Sequence, residues 1–227
     1  MRKYILLITI ISGLCWFGCD KKEIALYQES PRLCIEYIPA VHFLDTDYVK
    51  QHTEKLVLVK IRLQGYKLEN EKGYCLKTEV AEGMEATVEV GMEDHYIFRA
   101  NEILDSVYLV FKRPLKASQQ EGKNGVTITF DYLNPKHEFA AGRIEEQSRV
   151  VSVDFYLPEP YNWHKTYWGE YSTAKYIFMM DYFKDVYKMT WGSQEESQKV
   201  QDAYEVYRKE NGDLLDEAGK PITFPKF

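Results

Sequence analysis

The sequence has few of the residue patterns that mark catalytic and metal sites. Its 227 residues include only 5 histidines and 4 cysteines. No His-Glu-x-x-His pair occurs, and no Cys-x-x-Cys pair follows the N-terminal segment. A Gly-x-Ser-x-Gly turn and a glycine-rich phosphate loop are also missing. We therefore expect a protein that is not an enzyme and that holds no metal or cofactor.

Charge of one sign is not concentrated anywhere along the chain. The 29 lysines and arginines and the 35 aspartates and glutamates give a net charge of -6, without a basic cluster. A nucleic-acid-binding surface needs such a cluster, so we expect no nucleic-acid partner. Tyrosine is abundant instead, with 18 copies. Its apolar ring and polar tip suit partly buried surfaces.

The N-terminus reads as an export signal. A positively charged start precedes an apolar run at 4–11, which is shorter than the roughly 20 residues that span a bilayer. Lipoprotein signal peptidase cleaves before a cysteine that follows a small residue. Cys19, after Gly18, meets this requirement, and Cys15 does not. We predict a signal peptide over 1–18 and lipidation at Cys19, the alternative being a buried cysteine in an ordinary helix.

A lipid on Cys19 would fix the protein to a membrane. A diacylated cysteine supplies the two acyl chains that stable anchoring requires. Residues 19–31 then form a short tether whose mixed charge loosely resembles the surface-export signal of Bacteroidota lipoproteins. We expect an outer-membrane, lipid-anchored protein of the cell envelope. The periplasmic and surface faces of that membrane both remain open.

Two further cysteines, Cys34 and Cys75, lie in strand-like segments. An exported location permits a disulfide between them, which would stabilise the fold by roughly 2–4 kcal/mol. The alternative is a pair of separate buried thiols. The sequence leaves both open, because it does not give the distance that a bridge requires.

Hydrophobic and polar residues alternate from Arg32 to Leu157, as antiparallel strands with one face on a core require. Turn residues separate the strands, and no helix-length pattern intervenes. We therefore predict a mainly β protein with an antiparallel, Ig-like β-sandwich over 32–157. The clearest inward-facing residues are Val57, Val59, Ile61, Leu63, Val126, Ile128, Phe130, Tyr132, Val151, Val153 and Phe155, and Ser152 and Asp154 should face water.

The pattern becomes helical in the C-terminal region, 158–227. Ser172 can cap a first helix, and a capping box at 193–196 begins a second one that Gly212 ends. Two short amphipathic helices need a surface to cover, so we expect them to pack on the end of the sandwich. Their predicted apolar faces are Tyr176, Met179, Met180, Phe183 and Tyr187 in the first helix, and Val200, Ala203, Tyr204 and Tyr207 in the second.

An aromatic cluster joins the predicted sandwich to the predicted helices. Its rings would either hold the two parts together, which we favour because buried aromatic residues dominate core energetics, or form a glycan-binding platform. Asp154 and Glu159 could also converge near this joint, although no spacing favours them as an acid pair. The members of the cluster are Tyr161, Trp163, Tyr167, Trp168, Tyr171 and Trp191.

The C-terminal region resembles a known family. Its central motif is similar to residues 167–172 (Tyr-Trp-Gly-Glu-Tyr-Ser) with 174–178, and its terminal motif to 214–225 (Leu-Leu-Asp-Glu-Ala-Gly-Lys-Pro-Ile-Thr-Phe-Pro). The Cys19 tether and the Ile-Ala-Leu-Tyr segment at 24–27 resemble its mature N-terminus. The family is the DUF4843 group of Bacteroidota lipoproteins.

The resemblance implies a role but no chemistry, because the family has no established activity. Its members are often encoded beside SusC-like and SusD-like outer-membrane uptake proteins. The implied function is a non-catalytic accessory or binding lipoprotein of an outer-membrane system that takes up glycans or peptides. Its implied partners are those uptake proteins, a glycan and the membrane. The alternative is a structural surface protein such as a fimbrial or adhesin-like subunit.

Overall fold

A computed structural model of the protein describes residues 30–84, 86–142 and 144–227. The predicted signal peptide, Cys19 and most of the tether lie outside the described residues. The strands are β1 (Arg32–Ile35), β2 (Val41–Phe43), β3 (Glu54–Gln64), β4 (Lys72–Tyr74), β5 (Leu76–Glu79), β6 (Ala86–Thr87), β7 (Val90–Gly91), β8 (Tyr96–Phe98), β9 (Leu104–Lys112), β10 (Asn124–Phe130) and β11 (Ser148–Phe155). The helices are α1 (Asp45–Val49), α2 (Ile144–Gln147), α3 (Lys165–Trp168), α4 (Thr173–Phe183) and α5 (Gln194–Asn211), with a 3-10 turn at Lys188–Thr190.

Two sheets form the body of the protein. The first has the order β1-β3-β9-β7, and all of its pairs are antiparallel. The second has the order β2-β11-β10-β5, in which β2 runs parallel to β11 and the other neighbours are antiparallel. Strand β6 adds a short parallel pair with β10, and β4 and β8 form a separate antiparallel pair. The chain is therefore mainly β and predominantly antiparallel, as predicted.

The alternation in the sequence gives each sheet one buried face. In β3, Val59, Ile61 and Leu63 are buried, and the residues between them are exposed. The inward residues predicted in β10 and β11 are buried in the same way and belong to the same hydrophobic core. This arrangement is a β-sandwich, and it confirms the predicted fold class.

Strand β2 and helix α1 were not predicted. Val41 and Phe43 show the alternation of a strand, but a three-residue segment is too short for periodicity to reveal. Its parallel pairing places Phe43 opposite Phe155 at the end of β11. Helix α1 follows at once and brings Tyr48 to this end of the sandwich, where Tyr48 stacks on Phe155.

The two C-terminal helices begin where their caps predict. The Ser172 side chain accepts the Lys175 backbone N–H at 3.2 Å, and the Ser193–Glu196 capping box is complete. Helix α5 ends at Gly212, which has a φ of 82°. The prediction for the end of α4 is wrong. The left-handed conformation of Lys184 ends this helix after Phe183, so Tyr187 lies beyond it and is exposed.

Asp154 is also placed differently from the prediction. It was expected to face water, yet it is completely buried. Its carboxylate accepts backbone N–H bonds from Gly122, Lys123 and Asn124 at 2.8–3.2 Å, and the Ser152 hydroxyl at 2.6 Å. The loop before β10 thus folds over the outer side of β11. Alternation of hydrophobic and polar residues shows only which side chains of a strand face each side of the sheet. It therefore cannot reveal a loop that covers one of those sides.

Candidate functional site

The aromatic linker connects β11 to helix α4. It turns after Pro160, where the Trp163 backbone N–H donates to the Pro160 carbonyl at 2.9 Å. Helix α3 follows, and Gly169 ends it with a φ of 72°. This path leads the chain away from the sheet and turns it so that α4 packs against the sandwich end.

Trp163 and Trp168 are the buried anchors of this linker. Trp168 is fully buried, and its indole N–H donates to the Met189 carbonyl at 2.8 Å. Trp163 is 8% exposed, and its indole N–H donates to the Gly169 carbonyl at 2.9 Å. Both rings therefore have the polar partner that a buried indole needs. Their placement matches the interpretation in which the rings hold the two parts together.

Gly192 lies directly against the Trp168 ring. A Cβ atom at this position would come within 2.5 Å of a ring carbon, closer than packed atoms allow. Its neighbour Trp191 precedes the cap of α5. The missing side chain at 192 therefore lets the start of α5 pack on the linker.

Tyrosine hydroxyls tie the helices to the sandwich. Tyr171 donates to the Leu157 carbonyl at 2.6 Å, and Tyr176 of α4 donates to the Asp45 carboxylate of α1 at 2.8 Å. Burial raises the pKa of both phenols above the ordinary value, so they remain donors at neutral pH. The Trp163 ring meets Tyr171 edge to face, with ring centres 5.2 Å apart.

Lys175 is a buried cation in the middle of this contact. It is 3% exposed, and its ammonium donates to the carbonyls of Trp168 and Glu170 at 2.9 and 2.6 Å. The nitrogen also lies 5.3 Å from the centre of the Phe224 ring, in the C-terminal tail. One side chain thus joins the linker, α4 and the tail. In the sequence Lys175 stands out only as part of a motif, because a lone lysine in a helix normally faces water.

The remaining aromatic residues are exposed or only partly buried. Tyr161 is fully exposed and Trp191 is 83% exposed. Tyr167 is partly buried, and its ring lies 4.5 Å from the His164 ring and 6.2 Å from the Phe227 ring. The six predicted members therefore divide into a buried set that joins the two parts and an exposed set available to a ligand.

Cys34 and Cys75 are separate buried thiols, which is the second of the two arrangements that the sequence allowed. Cys34 lies in β1 of the first sheet, and Cys75 lies between β4 and β5. Burial, with a smaller contribution from the Asp131 carboxylate, raises the pKa of the Cys75 thiol. Because Cys34 and Cys75 are not bridged, the contact between their two segments is stabilised by packing rather than by a disulfide.

The other polar candidates do not converge. Asp154 is engaged by the loop before β10, whereas Glu159 is 44% exposed and lies 3.8 Å from the Lys165 ammonium. Within the described ranges, no three histidine, cysteine or acidic side chains are grouped as a metal site. His137 is half-buried among aromatic rings, and its Nδ1 accepts the Cys75 backbone N–H at 3.1 Å.

A cleft of about 500 Å³ opens where α1, the end of β9 and helix α4 meet. A second cleft of about 320 Å³ shares Tyr48, Thr53 and Arg113 with it. We call the two together the junction cleft. The other residues that line it are Val49, Gln51, Glu54, Lys112, Pro114, Leu115, Phe155, Ile177, Met180, Asp181 and Lys184.

Arg113 is held at the wall shared by both parts of the junction cleft. Its guanidinium carbon lies 5.1 Å from the centre of the Tyr48 ring and 5.0 Å from that of Phe155. The two rings stack on each other with centres 5.6 Å apart. A guanidinium N–H also donates to the His52 carbonyl at 3.2 Å. This group of Tyr48, Arg113 and Phe155 could not be predicted from the sequence, because its three side chains come from distant segments.

Comparisons with known proteins add little to this description. No family model matches the chain, and no curated protein does. Among solved structures, the chain is similar to a crystal structure of the apo form of the Calx CBD1 domain, with 11% sequence identity and a TM-score of 0.34. The match covers 56% of this chain and 98% of that domain. The fold assignment therefore stands on the strand topology itself.

Trp163 and Trp191 offer a matched test of the two interpretations of the cluster. We expect Trp163→Ala to lower the free energy of unfolding by about 3–5 kcal/mol, because it leaves a cavity beneath the linker. Trp191→Ala should change it by less than about 0.5 kcal/mol, because that ring is exposed. Urea denaturation followed by circular dichroism measures both. Equal losses, or a stable Trp163→Ala variant, would contradict the buried role.

Lys175 should make stability depend on pH. Burial lowers its pKa from 10.5 to about 8. Between these values the unfolded chain binds a proton that the folded chain does not, so folding becomes more favourable as pH rises. We expect the stability of the natural protein relative to Lys175→Met to increase by about 1–2 kcal/mol from pH 7 to about pH 9.5. Urea titrations at the two pH values measure this change.

An exposed lysine provides the control for that comparison. Lys209→Met in the last turn of α5 removes the same charge from a solvated position. Its stability relative to the natural protein should not vary over this pH interval. If the relative stability of Lys175→Met is as independent of pH as that of Lys209→Met, burial does not lower the pKa of the Lys175 ammonium, and the prediction is wrong.

Proposed function

We propose that the protein is a non-catalytic lipoprotein of the cell envelope that serves as an accessory or binding component of an outer-membrane nutrient uptake system. The observation that carries this proposal is the sequence pattern of a lipoprotein signal before Cys19, followed by a short segment and then a β-sandwich. The resemblance to the DUF4843 lipoproteins supports the same role. The nutrient in this proposal is a glycan or a peptide.

The tether length supports a function close to the membrane surface. Residues 20–31 separate Cys19 from the first strand, and a fully extended chain of this length reaches roughly 45 Å. A folded unit on such a tether remains within about one protein diameter of its anchor. It is therefore suited to a contact with a membrane-embedded partner. Among the described residues, no helix is both long and apolar enough to cross a membrane.

The surface of the protein supports binding. Exposed Tyr161 and Trp191 present rings that can stack on the apolar face of a sugar. The junction cleft adds a concave surface with polar and apolar walls, which is the usual form of a small-molecule site. Both features lie near the joint between the sandwich and the helices, which fixes them in position.

The C-terminal tail bears on the fimbrial alternative. Ile222 and Phe224 are 5% and 7% exposed, and Leu215 forms a β-bridge with Pro221. The tail is therefore packed into its own chain, and its release for donation to a neighbouring subunit would expose core residues. This packing favours the accessory role over a subunit that donates its tail.

The anchoring step has a matched pair of variants within the signal. We expect Cys19→Ala to abolish incorporation of a labelled fatty acid and to release the protein from the membrane fraction, because the thiol is the acylation site. Cys15→Ala should leave both unchanged. Metabolic labelling followed by membrane fractionation measures the two effects. Undiminished labelling of Cys19→Ala would contradict the proposal.

The same pair tests the accessory role. Affinity purification of the lipidated protein from its own membrane should recover an outer-membrane transporter and its lipoprotein partner, and Cys19→Ala should lose them. Recovery of ladders of the protein alone would instead support the structural alternative.

A further inference from the structure

The charged groups of the junction cleft are unequally compensated. Asp181 accepts the Tyr48 hydroxyl at 3.0 Å and lies 3.5 Å from the Lys184 ammonium. Lys112 is paired with Glu89 at 2.5 Å. Over the described part of the chain, Glu54 and Arg113 are the charged groups of the cleft with no ion-pair partner; the Glu54 side chain is exposed, whereas the Arg113 guanidinium packs on aromatic rings and donates to the His52 carbonyl.

The packing of Arg113 also fixes its orientation. The Tyr48 and Phe155 rings pack against the guanidinium, and the His52 carbonyl accepts one of its five N–H groups. Burial, together with the Asp181 carboxylate, raises the pKa of Tyr48 to about 12, so this phenol stays neutral beside the cation. A guanidinium held in this way loses little conformational freedom when it binds a planar anion.

We propose that the junction cleft binds a carboxylate and that Arg113 is its anchor. A carboxylate matches the planar fork of a guanidinium with two parallel N–H···O bonds, which is the strongest pairing open to it. It would also neutralise the Arg113 charge, which has no ion-pair partner among the described residues. This proposal deepens the proposed function by naming the ligand class of the cleft. It rests on the proposed function only in assigning the bound ligand to nutrient uptake.

The walls define the rest of the ligand. Leu115 is fully exposed at the rim, and Pro114 and Ile177 add apolar surface beside it. Thr53, which lines both parts of the cleft, and Gln51 supply hydroxyl and amide groups. A carboxylate carried on a small body with one apolar face fits this arrangement. Acidic sugars and the C-terminal ends of peptides both have this chemistry.

Acetate tests the shared chemistry directly. The Arg113 side-chain N–H resonance of the lipidated protein in nonionic detergent is followed by NMR, and Arg113→Lys identifies it by its disappearance. Sodium acetate should shift this resonance saturably, whereas sodium chloride at equal ionic strength should not. The exposed Arg99 side chain serves as the internal control and should respond equally to both salts. An acetate response no larger than that of chloride would overturn the proposal.

Calorimetry then distinguishes the two sources of the carboxylate. Digalacturonate, trialanine and trialanine amide are titrated separately, and one of the two acids should bind at least tenfold more tightly than acetate. The amide should bind at least tenfold more weakly than trialanine if the peptide is the source. Binding of neither acid more tightly than acetate, or equal binding of trialanine and its amide as the tightest ligands, would overturn the proposal.

Two variants separate binding from folding. Arg113→Lys keeps the charge but removes the two parallel N–H groups of the guanidinium. Leu115→Asp places a carboxylate at a fully exposed position, where folding is insensitive to it. Both variants should lower the affinity for the tighter-binding acid at least tenfold, and Leu115→Asp should leave the melting temperature unchanged. Unaltered binding by both variants would overturn the assignment. The lipid anchor plays no part in these measurements, so their failure is distinct from failure of the membrane experiments.

Discussion

The contact between the aromatic linker and the two helices is the constraint on which the rest of the structure depends. Helix α4 has 11 residues and would be marginal alone in water, and most of the stability of α5 also comes from packing of its apolar face, so both helices need a surface to cover. The aromatic linker provides this surface through Trp163 and Trp168, and each such ring buries roughly 150–250 Å² of surface. Lys175 adds hydrogen bonds that hold the linker at one distance from α4. The helices and the sandwich consequently share one hydrophobic core.

This contact also creates the surfaces to which we assign binding. Helix α4 contributes Ile177 and Asp181 to the junction cleft, and the sandwich contributes Arg113 and Phe155. The cleft therefore exists only while both parts are joined. A ligand that bridges its walls would stabilise the joined state, since binding to the folded form alone shifts the folding equilibrium. Structure and proposed function thus depend on the same packing.

Most of the fold could be predicted from local signals. Alternation in β3, β10 and β11 identified the buried faces, and the caps at Ser172 and Ser193 located both helices. The misplaced elements are those that depend on distant segments. Asp154 is buried by a loop about thirty residues before it in the chain, and β2 is defined by its pairing with β11. Neither relation leaves a periodic trace in the sequence.

The candidate site was predictable only in part. The aromatic cluster stood out as a local concentration, but the sequence did not divide it into buried and exposed rings. Arg113 gave no signal, because Tyr48 and Phe155 reach it from segments far away in the chain. In the amino-acid sequence, an arginine whose partners are aromatic rings cannot be told from any surface arginine. Such sites emerge only once the fold has brought their parts together.

The central claim is that the sandwich and the helices form one cooperative unit, and the chain contains separate probes for its two parts. Among the described residues, Trp163, Trp168 and Trp191 report on the C-terminal region, whereas the buried thiols of Cys34 and Cys75 report on the sandwich. The most direct measurement is urea unfolding followed both by tryptophan fluorescence and by pulsed thiol labelling. We predict coincident transitions with one midpoint. A fluorescence transition at lower urea, with the thiols still protected, would contradict the claim.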